Sequence, residues 1–325
     1  MKTSDRIIEY IQQRQQVTGA ELANYLALSD RAVRKQLSTL LEHGRVSKLG
    51  KPPKVYYRLA VAPIKELAPV ANIDSEYEKV ISENFFHITA LGDTHRGVDG
   101  FIAWCKERGL NPEIMAQQYW KVNQKYTAYR DHGLIEGTQK LQKTFKKSQL
   151  DQLLYVDFYS VEIFGKTKLG QMLLFAKQSQ DRVLINQISD IILPSVRSVI
   201  KRHKISAVGF IPPTVKRELQ FMKQLENRLN LGLPIIPITK IKTPVIIPQK
   251  TLSKLEDRIS NAKNTINIDG TVPYQNILLI DDAVGSGATL QEVASQMRHK
   301  KLVTGIIIGL AVTGSVKGFD VISEV

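Results

Sequence analysis

The stretch from Leu278 to Thr289, Leu-Leu-Ile-Asp-Asp-Ala-Val-Gly-Ser-Gly-Ala-Thr, constrains this chain more than any other. Consecutive large apolar residues leave a strand no polar face, so it must be covered on both sides, as in a parallel sheet flanked by helices. Two carboxylates then arrive at the C-terminal end of the strand, and a turn of small residues opens the next helix. In open α/β sheets this is the edge at which ligands bind. The backbone N–H groups of Gly285, Ser286, Gly287, Ala288 and Thr289, with the Ser286 and Thr289 hydroxyls and the helix start, suit a phosphate. Asp281 and Asp282 can accept hydrogen bonds from sugar hydroxyls and sit beside a magnesium ion shared with a diphosphate.

Other segments fit the same plan. Residues 207–211, 234–238, 276–280 and 303–311 are apolar runs of buried-strand type, and 289–300 is an amphipathic helix with Leu290, Val293, Ala294 and Met297 on one face. The prediction for 151–325 is an α/β domain with a doubly wound parallel sheet. The turn lacks the lysine of G-x-x-x-x-G-K-[ST], so it is not a P-loop. An acidic pair in another α/β fold, such as a receiver domain, is the alternative; receivers carry theirs early, whereas this pair sits late and precedes Gly-Ser-Gly.

Residues 1–68 follow different rules. Ser4 is expected to cap a helix bearing Ile7, Ile8 and Ile11, and Thr18-Gly19-Ala20-Glu21 reads as a capping box for a second. Ser29 should cap a third helix, which Gly44 stops. Two strands, 46–49 and 55–59, then flank Gly50-Lys51-Pro52-Pro53-Lys54. On the third helix Val33, Leu37, Leu40 and Leu41 can face a core, leaving Arg31, Arg34, Lys35 and Ser38 outward. Net charge is +14, and residues 31–58 hold eight Lys/Arg against the single acid Glu42. Such clustering points to a polyanion, with Lys51 and Lys54 neutralising phosphates and an Arg reading guanine, and double-stranded DNA is the expected partner. A solvated charged face, or a wing used for protein contact, is the alternative.

Residues 69–150 are read as a helical linking segment with Trp104, Tyr119, Trp120 and Tyr126 as core aromatics and Lys140, Lys143, Lys146 and Lys147 as a solvated face. Packing the two ends together or dimerising are its expected jobs. Cys105 is the one cysteine, and the six histidines are scattered, so neither a disulfide framework nor a structural metal is expected. The N-terminal residues lack a signal-peptide core and no apolar run approaches ~18 residues, so no membrane is expected and the cytoplasm is the default.

The first stretch, ending in K-V-Y-Y-R-L, resembles winged-helix transcription regulators. From about residue 155 onward the chain resembles type I phosphoribosyltransferases, whose signature is an apolar strand, two acids and a Gly/Ser/Thr-rich loop; within them it looks most like the ComF group. Gln249-Lys250-Thr251-Leu252, Arg258 and the stretch 261–266 echo that group, and Phe210-Ile211-Pro212-Pro213 with Lys216, Arg217 and Phe221 stands at its pyrophosphate-side loop. Lys177 falls where a helical lysine is usual. The ComF zinc ribbon is absent, its R-G-F-N-Q stretch is replaced by residues 218–224, and Gly285 stands where Thr is common.

The resemblance implies binding of phosphoribosyl pyrophosphate (PRPP) or a related nucleotide with Mg2+. Purine repressors that join a winged helix to such a domain supply a precedent for a regulator, coupled through a homodimer. An active transferase would place Asp281, Asp282, Lys216 and Arg217 in catalysis, with the last two neutralising departing pyrophosphate. A nucleotide-directed defence or toxin effector is the third reading.

Overall fold

In the computed structural model, which describes residues 2–51, 53–60, 72–90, 92–215, 217–241, 247 and 251–315, the chain forms two units, 1–71 and 72–325. The first consists of α1 (Thr3–Arg14), β1 (Gln16–Thr18), α2 (Gly19–Leu26), α3 (Asp30–Glu42), β2 (Val46–Lys51) and β3 (Lys54–Leu59). Its antiparallel sheet has the order β1-β3-β2.

Local chemistry accounts for these boundaries. Thr18 Oγ1 accepts from the Glu21 N–H at 3.2 Å while Glu21 Oε2 accepts from the Thr18 N–H at 2.6 Å, which satisfies two orphan donors at the start of α2. Ser29 caps α3. Ser4 does not cap α1: the helix begins beyond Lys2, so Ser4 falls within the first turn, where Asp5 complements the helix dipole. Ile7, Ile11, Leu22, Leu26, Val33, Leu37 and Leu40 close one core with Val46, and half-buried Leu41 packs at its edge. The two wing strands are longer than the sequence indicates, pairing as far as Lys51↔Lys54. Gly50 makes this tight end feasible with φ +82°, where any Cβ would collide with the Lys54 carbonyl oxygen.

The second unit starts with α4 (Ser75–Asn84), β4 (Phe86–Ile88), β5 (Thr94–Arg96), α5 (Gly97–Glu107), α6 (Pro112–Thr127), β6 (Arg130–Asp131), β7 (Leu134–Glu136) and α7 (Thr138–Thr144). It continues with β8 (Gln152–Phe158), β9 (Ser160–Val161), β10 (Gly165–Lys166), α8 (Lys168–Gln178), α9 (Arg182–Arg202), β11 (Ala207–Phe210) and α10 (Phe221–Leu229). It closes with β12 (Ile238–Lys240), α11 (Leu255–Thr265), β13 (Ile266–Ile268), β14 (Ile277–Val284), α12 (Ala288–His299) and β15 (Ile307–Gly314).

Six strands form the main sheet in the order β11-β14-β15-β8-β7-β6. The first four run parallel, and β7 and β6 join antiparallel. The segment before β8 is therefore mostly helical, as expected, and also adds two hairpins, of which β6–β7 extends the sheet. Trp104, Tyr119 and Tyr126 are buried.

Alternation along the strands places helices on both faces. Leu278 and Ile280 share a core with Leu173 of α8, Ile185 and Ile192 of α9 and Leu225 of α10. Ile277 and Leu279 share the other with Tyr126 of α6, Leu141 of α7 and Leu290, Val293 and Met297 of α12. Among the described residues α9 is the one helix long and apolar enough to cross a bilayer, and Ile185, Ile188, Ile192, Val196 and Val199 are buried along it.

Two apolar runs behave differently from the expectation. Residues 234–238 make one isolated bridge, Val208↔Ile235, and a strand starts at Ile238. Pro234 and Pro237 lack the N–H a ladder requires, which breaks the run. The last strand begins at Ile307 rather than near Val303, and ends at Gly314.

Candidate functional site: a cationic cleft at the end of β14

Leu278, Leu279 and Ile280 are buried because β14 is a central strand, with β11 and β15 parallel on either side. Its final turn-ward residues are Asp281 to Val284, so the acidic pair lies inside the strand's C-terminal end. β11 stops at Phe210, opposite Ile280, and the chain leaves through Pro212-Pro213. Its departure opens a cavity of about 200 Å³ beside the two aspartates. Residues 285–289 and the first turn of α12 form one wall; Lys177 of α8, residues 211–215, Arg217, Lys240 of β12 and Arg258 of α11 line the rest.

Four cations and two carboxylates among these residues leave the cleft with a formal charge of +2. Lys177 Nζ lies 2.8 Å from Asp282 Oδ2, with the two side chains only 16% and 15% exposed. The Asp282 N–H donates to Asp281 Oδ1 at 2.8 Å. The Arg217 guanidinium donates to the Lys177 carbonyl, and the Leu219 N–H donates to Gln180 Oε1 at 2.9 Å, tying Arg217 and Leu219 to the end of α8. Lys240 Nζ donates to Thr214 Oγ1 at 2.6 Å. Burial lowers the Lys240 pKa, and the two aspartates oppose that shift.

Burial, reinforced by the neighbouring Asp282 charge, pushes the Asp281 carboxyl up to about 7. The folded protein thus holds a proton on Asp281 that the unfolded chain releases near 3.8. Between those values the native state binds more protons, so stability falls as pH rises through the window. Asp281→Asn is expected to flatten this slope and raise Tm at pH 8 relative to the native chain, with little difference at pH 4. Calorimetry from pH 4 to 8 that gave parallel curves for the two proteins would refute the assignment.

Among the predicted site residues, Asp281, Asp282, Arg217 and Gly285 to Thr289 line the same cleft. Ser286, Gly287 and Ala288 are buried, while Gly285 and Thr289 are half-buried. Gly287 is the N-cap of α12 with φ +81°, a left-handed conformation that glycine adopts without strain. Lys216 lies outside the described residues. Lys240 was missed, since it sits on a three-residue strand far from the acids in sequence and no local pattern marks it.

The first unit presents its own candidate face. Arg31, Arg34, Lys35 and Ser38 are exposed on α3, opposite buried Val33, Leu37 and Leu40. Ser38 donates to Glu42 Oε1 at 3.1 Å. Lys54 is exposed where the wing strands meet; the Lys51 side chain lies outside the described residues.

Residues 3–58 match the HTH domain family. The HTH domain spans α1 to within β3, and so contains α3 and the wing strands. Among solved structures, a hypoxanthine-guanine phosphoribosyltransferase of Bacillus anthracis str. 'Ames Ancestor' is similar at 10% identity and TM-score 0.28, over 43% of this chain and 74% of that one. A hypoxanthine phosphoribosyltransferase of Staphylococcus aureus is similar at 13% identity and TM-score 0.25, over 42% and 80%. An adenine phosphoribosyltransferase of Leishmania tarentolae is similar at 12% identity and TM-score 0.26, over 49% and 90%. No curated protein matches the chain. What the cleft can bind is therefore read from its own side chains.

Proposed function

We propose that this chain is a cytoplasmic DNA-binding transcription regulator whose second unit holds PRPP, or a related nucleotide, in the cleft at the end of β14. The observation that carries the proposal is the convergence of Asp281, Asp282, a glycine-broken turn and four cations on one cavity, in a chain whose other unit is an HTH domain. A ribose 5-phosphate suits that convergence. Its phosphate would take the turn's N–H groups and the start of α12, its sugar hydroxyls would donate to the aspartates, and its diphosphate would meet the cations.

Magnesium fits the same donors. Mg2+ prefers hard oxygens and binds through one or two carboxylates completed by water and substrate phosphates. Asp281 and Asp282 supply such a pair, and no group of three or more metal-ligating side chains exists among the described residues. When bound, Mg2+ would neutralise diphosphate charge.

On α3 and the wing, Arg31, Arg34, Lys35, Ser38, Lys51 and Lys54 would contact double-stranded DNA. Ligand would alter DNA affinity by interacting differently with the DNA-competent and incompetent states, coupled through a homodimer.

The test is selection of bound duplexes from a random pool by the full chain, with and without PRPP and Mg2+. A specific sequence whose enrichment changes with PRPP is expected. Failure to enrich any sequence under either condition would remove the regulator reading.

A second reading, an active phosphoribosyltransferase, is favoured by Arg217 and Lys240, which add two cations beyond the Lys177–Asp282 pair and would stabilise a departing diphosphate. The C1–oxygen bond to diphosphate would break as a nitrogen of a base or amine bonds to C1. Pyrophosphate release measured with PRPP, Mg2+ and a panel of bases separates the two: release in none leaves a sensor.

A further inference from the structure

The lysine-rich stretch of α7 and the residues after it do not form a uniform solvated face. They grip the phosphate turn at its entry, its apex and its exit.

At the entry, Lys140 Nζ donates to the Ser315 carbonyl at 3.1 Å and to Ser315 Oγ at 2.6 Å. The Ser315 N–H in turn donates at 3.2 Å to the carbonyl of Val284, where β14 gives way to the turn. Ser315 is buried and Lys140 half-buried, whereas Lys143, Lys146 and Lys147 are exposed. At the apex, Leu141 packs so closely on Gly287 that an added Cβ would lie 2.7 Å from Leu141 Cδ1. At the exit, the Gln291 amide in the first turn of α12 accepts from the Gln149 N–H at 3.0 Å and donates to the Lys147 carbonyl at 2.9 Å.

We propose that Lys140 is a positioning residue for the anion site, and that through it the α7 segment sets the cleft's affinity for phosphate without touching the ligand. The proposal rests on the reading of this cleft as a phosphate site. The physical reason is preorganisation. A turn binds an anion with backbone N–H groups, which are useful only if already aimed; a turn that must first be ordered gives up affinity to that ordering. Lys140 anchors Ser315, whose own N–H bonds the end of β14, and its removal would leave two acceptors on buried Ser315 without this donor.

The test uses the full chain, with inorganic pyrophosphate and Mg2+ as probe in titration calorimetry, and hydrogen exchange at the amides of residues 285–288. Lys140→Met is expected to weaken pyrophosphate binding by about tenfold and speed exchange at the turn by a similar factor. Lys140→Arg should restore most of both, and Lys143→Met, in the same helix but exposed, should change neither. If Lys140→Met fails to fold, Ser315→Ala removes one of the two acceptors, keeps the charge, and should shift both readouts in the same direction. Native-like binding and exchange in Lys140→Met, or in Ser315→Ala where that variant replaces it, overturn the proposal while the phosphate reading survives. A native chain that binds neither pyrophosphate nor PRPP overturns both.

Discussion

Asp282→Asn is expected to weaken PRPP binding by roughly 100-fold, from the loss of charge-assisted hydrogen bonds worth about 1.5–3 kcal/mol each. The substitution keeps the side chain's shape but removes one negative charge and turns an acceptor into a donor, so a sugar hydroxyl meets the wrong partner. It also deprives Lys177, 2.8 Å away and 16% exposed, of its counter-charge. A buried ammonium without its carboxylate is costly, so a Tm decrease of a few degrees should accompany the loss of binding. Calorimetric titration with PRPP and Mg2+, beside a thermal melt of each protein, checks both effects. Undiminished affinity in the variant would show that the ligand sits elsewhere or that the cleft serves another purpose.

Replacing Arg31, Arg34 and Lys35 together by alanine is expected to lower affinity for the selected duplex on the order of 1000-fold near 0.1 M salt. For every phosphate that is no longer neutralised, the slope of log K against log salt should fall by about 0.9, and removing a guanine hydrogen-bond pair should cost a further 1–3 kcal/mol, roughly. The three side chains are exposed on α3, opposite the buried Val33, Leu37 and Leu40, and the Ser29 cap is untouched, so the HTH domain should melt as before. Anisotropy titrations from about 0.05 to 0.3 M salt give affinity and slope together, a range over which phosphate-dominated binding changes by orders of magnitude. An unchanged slope would mean that this face does not lie on the DNA backbone. Lower affinity with the same sequence preference would assign the three residues to phosphate rather than to bases.

Features that depend on neighbours in the chain were legible in the sequence. The Thr18–Glu21 capping box, the Ser29 cap, the apolar stripe of α12 and the buried run before Asp281 all appear where their spacing predicts them. Each is governed by hydrogen bonds or faces within one or two turns, so a short window contains the cause. Where a local reading failed, another local choice competed: Ser4 gave way to a helix that starts earlier, and 234–238 lost its strand to two prolines. The strands of the extra hairpins β4–β5 and β6–β7 are two or three residues long, too short for periodicity to register.

The composition of the cleft is another matter. By itself the sequence determined that a paired acid and a small-residue turn end a buried strand, and that a basic helix precedes a wing. The family resemblance had singled out Lys177, Arg217 and Arg258, but only tertiary structure brought them to one cleft with those acids and added Lys240 to them. Lys177 comes from a helix 105 residues earlier than Asp282, Lys240 from a short strand in a separate two-stranded sheet, and Lys140 braces Ser315 across 175 residues. Dozens of lysines and arginines are equivalent in a sequence of this composition, with 45 in all. Only the crossovers that carry α8, β12 and α7 to one edge of the sheet select these from the rest, because a charge acts over a few ångströms of space whatever its distance along the chain.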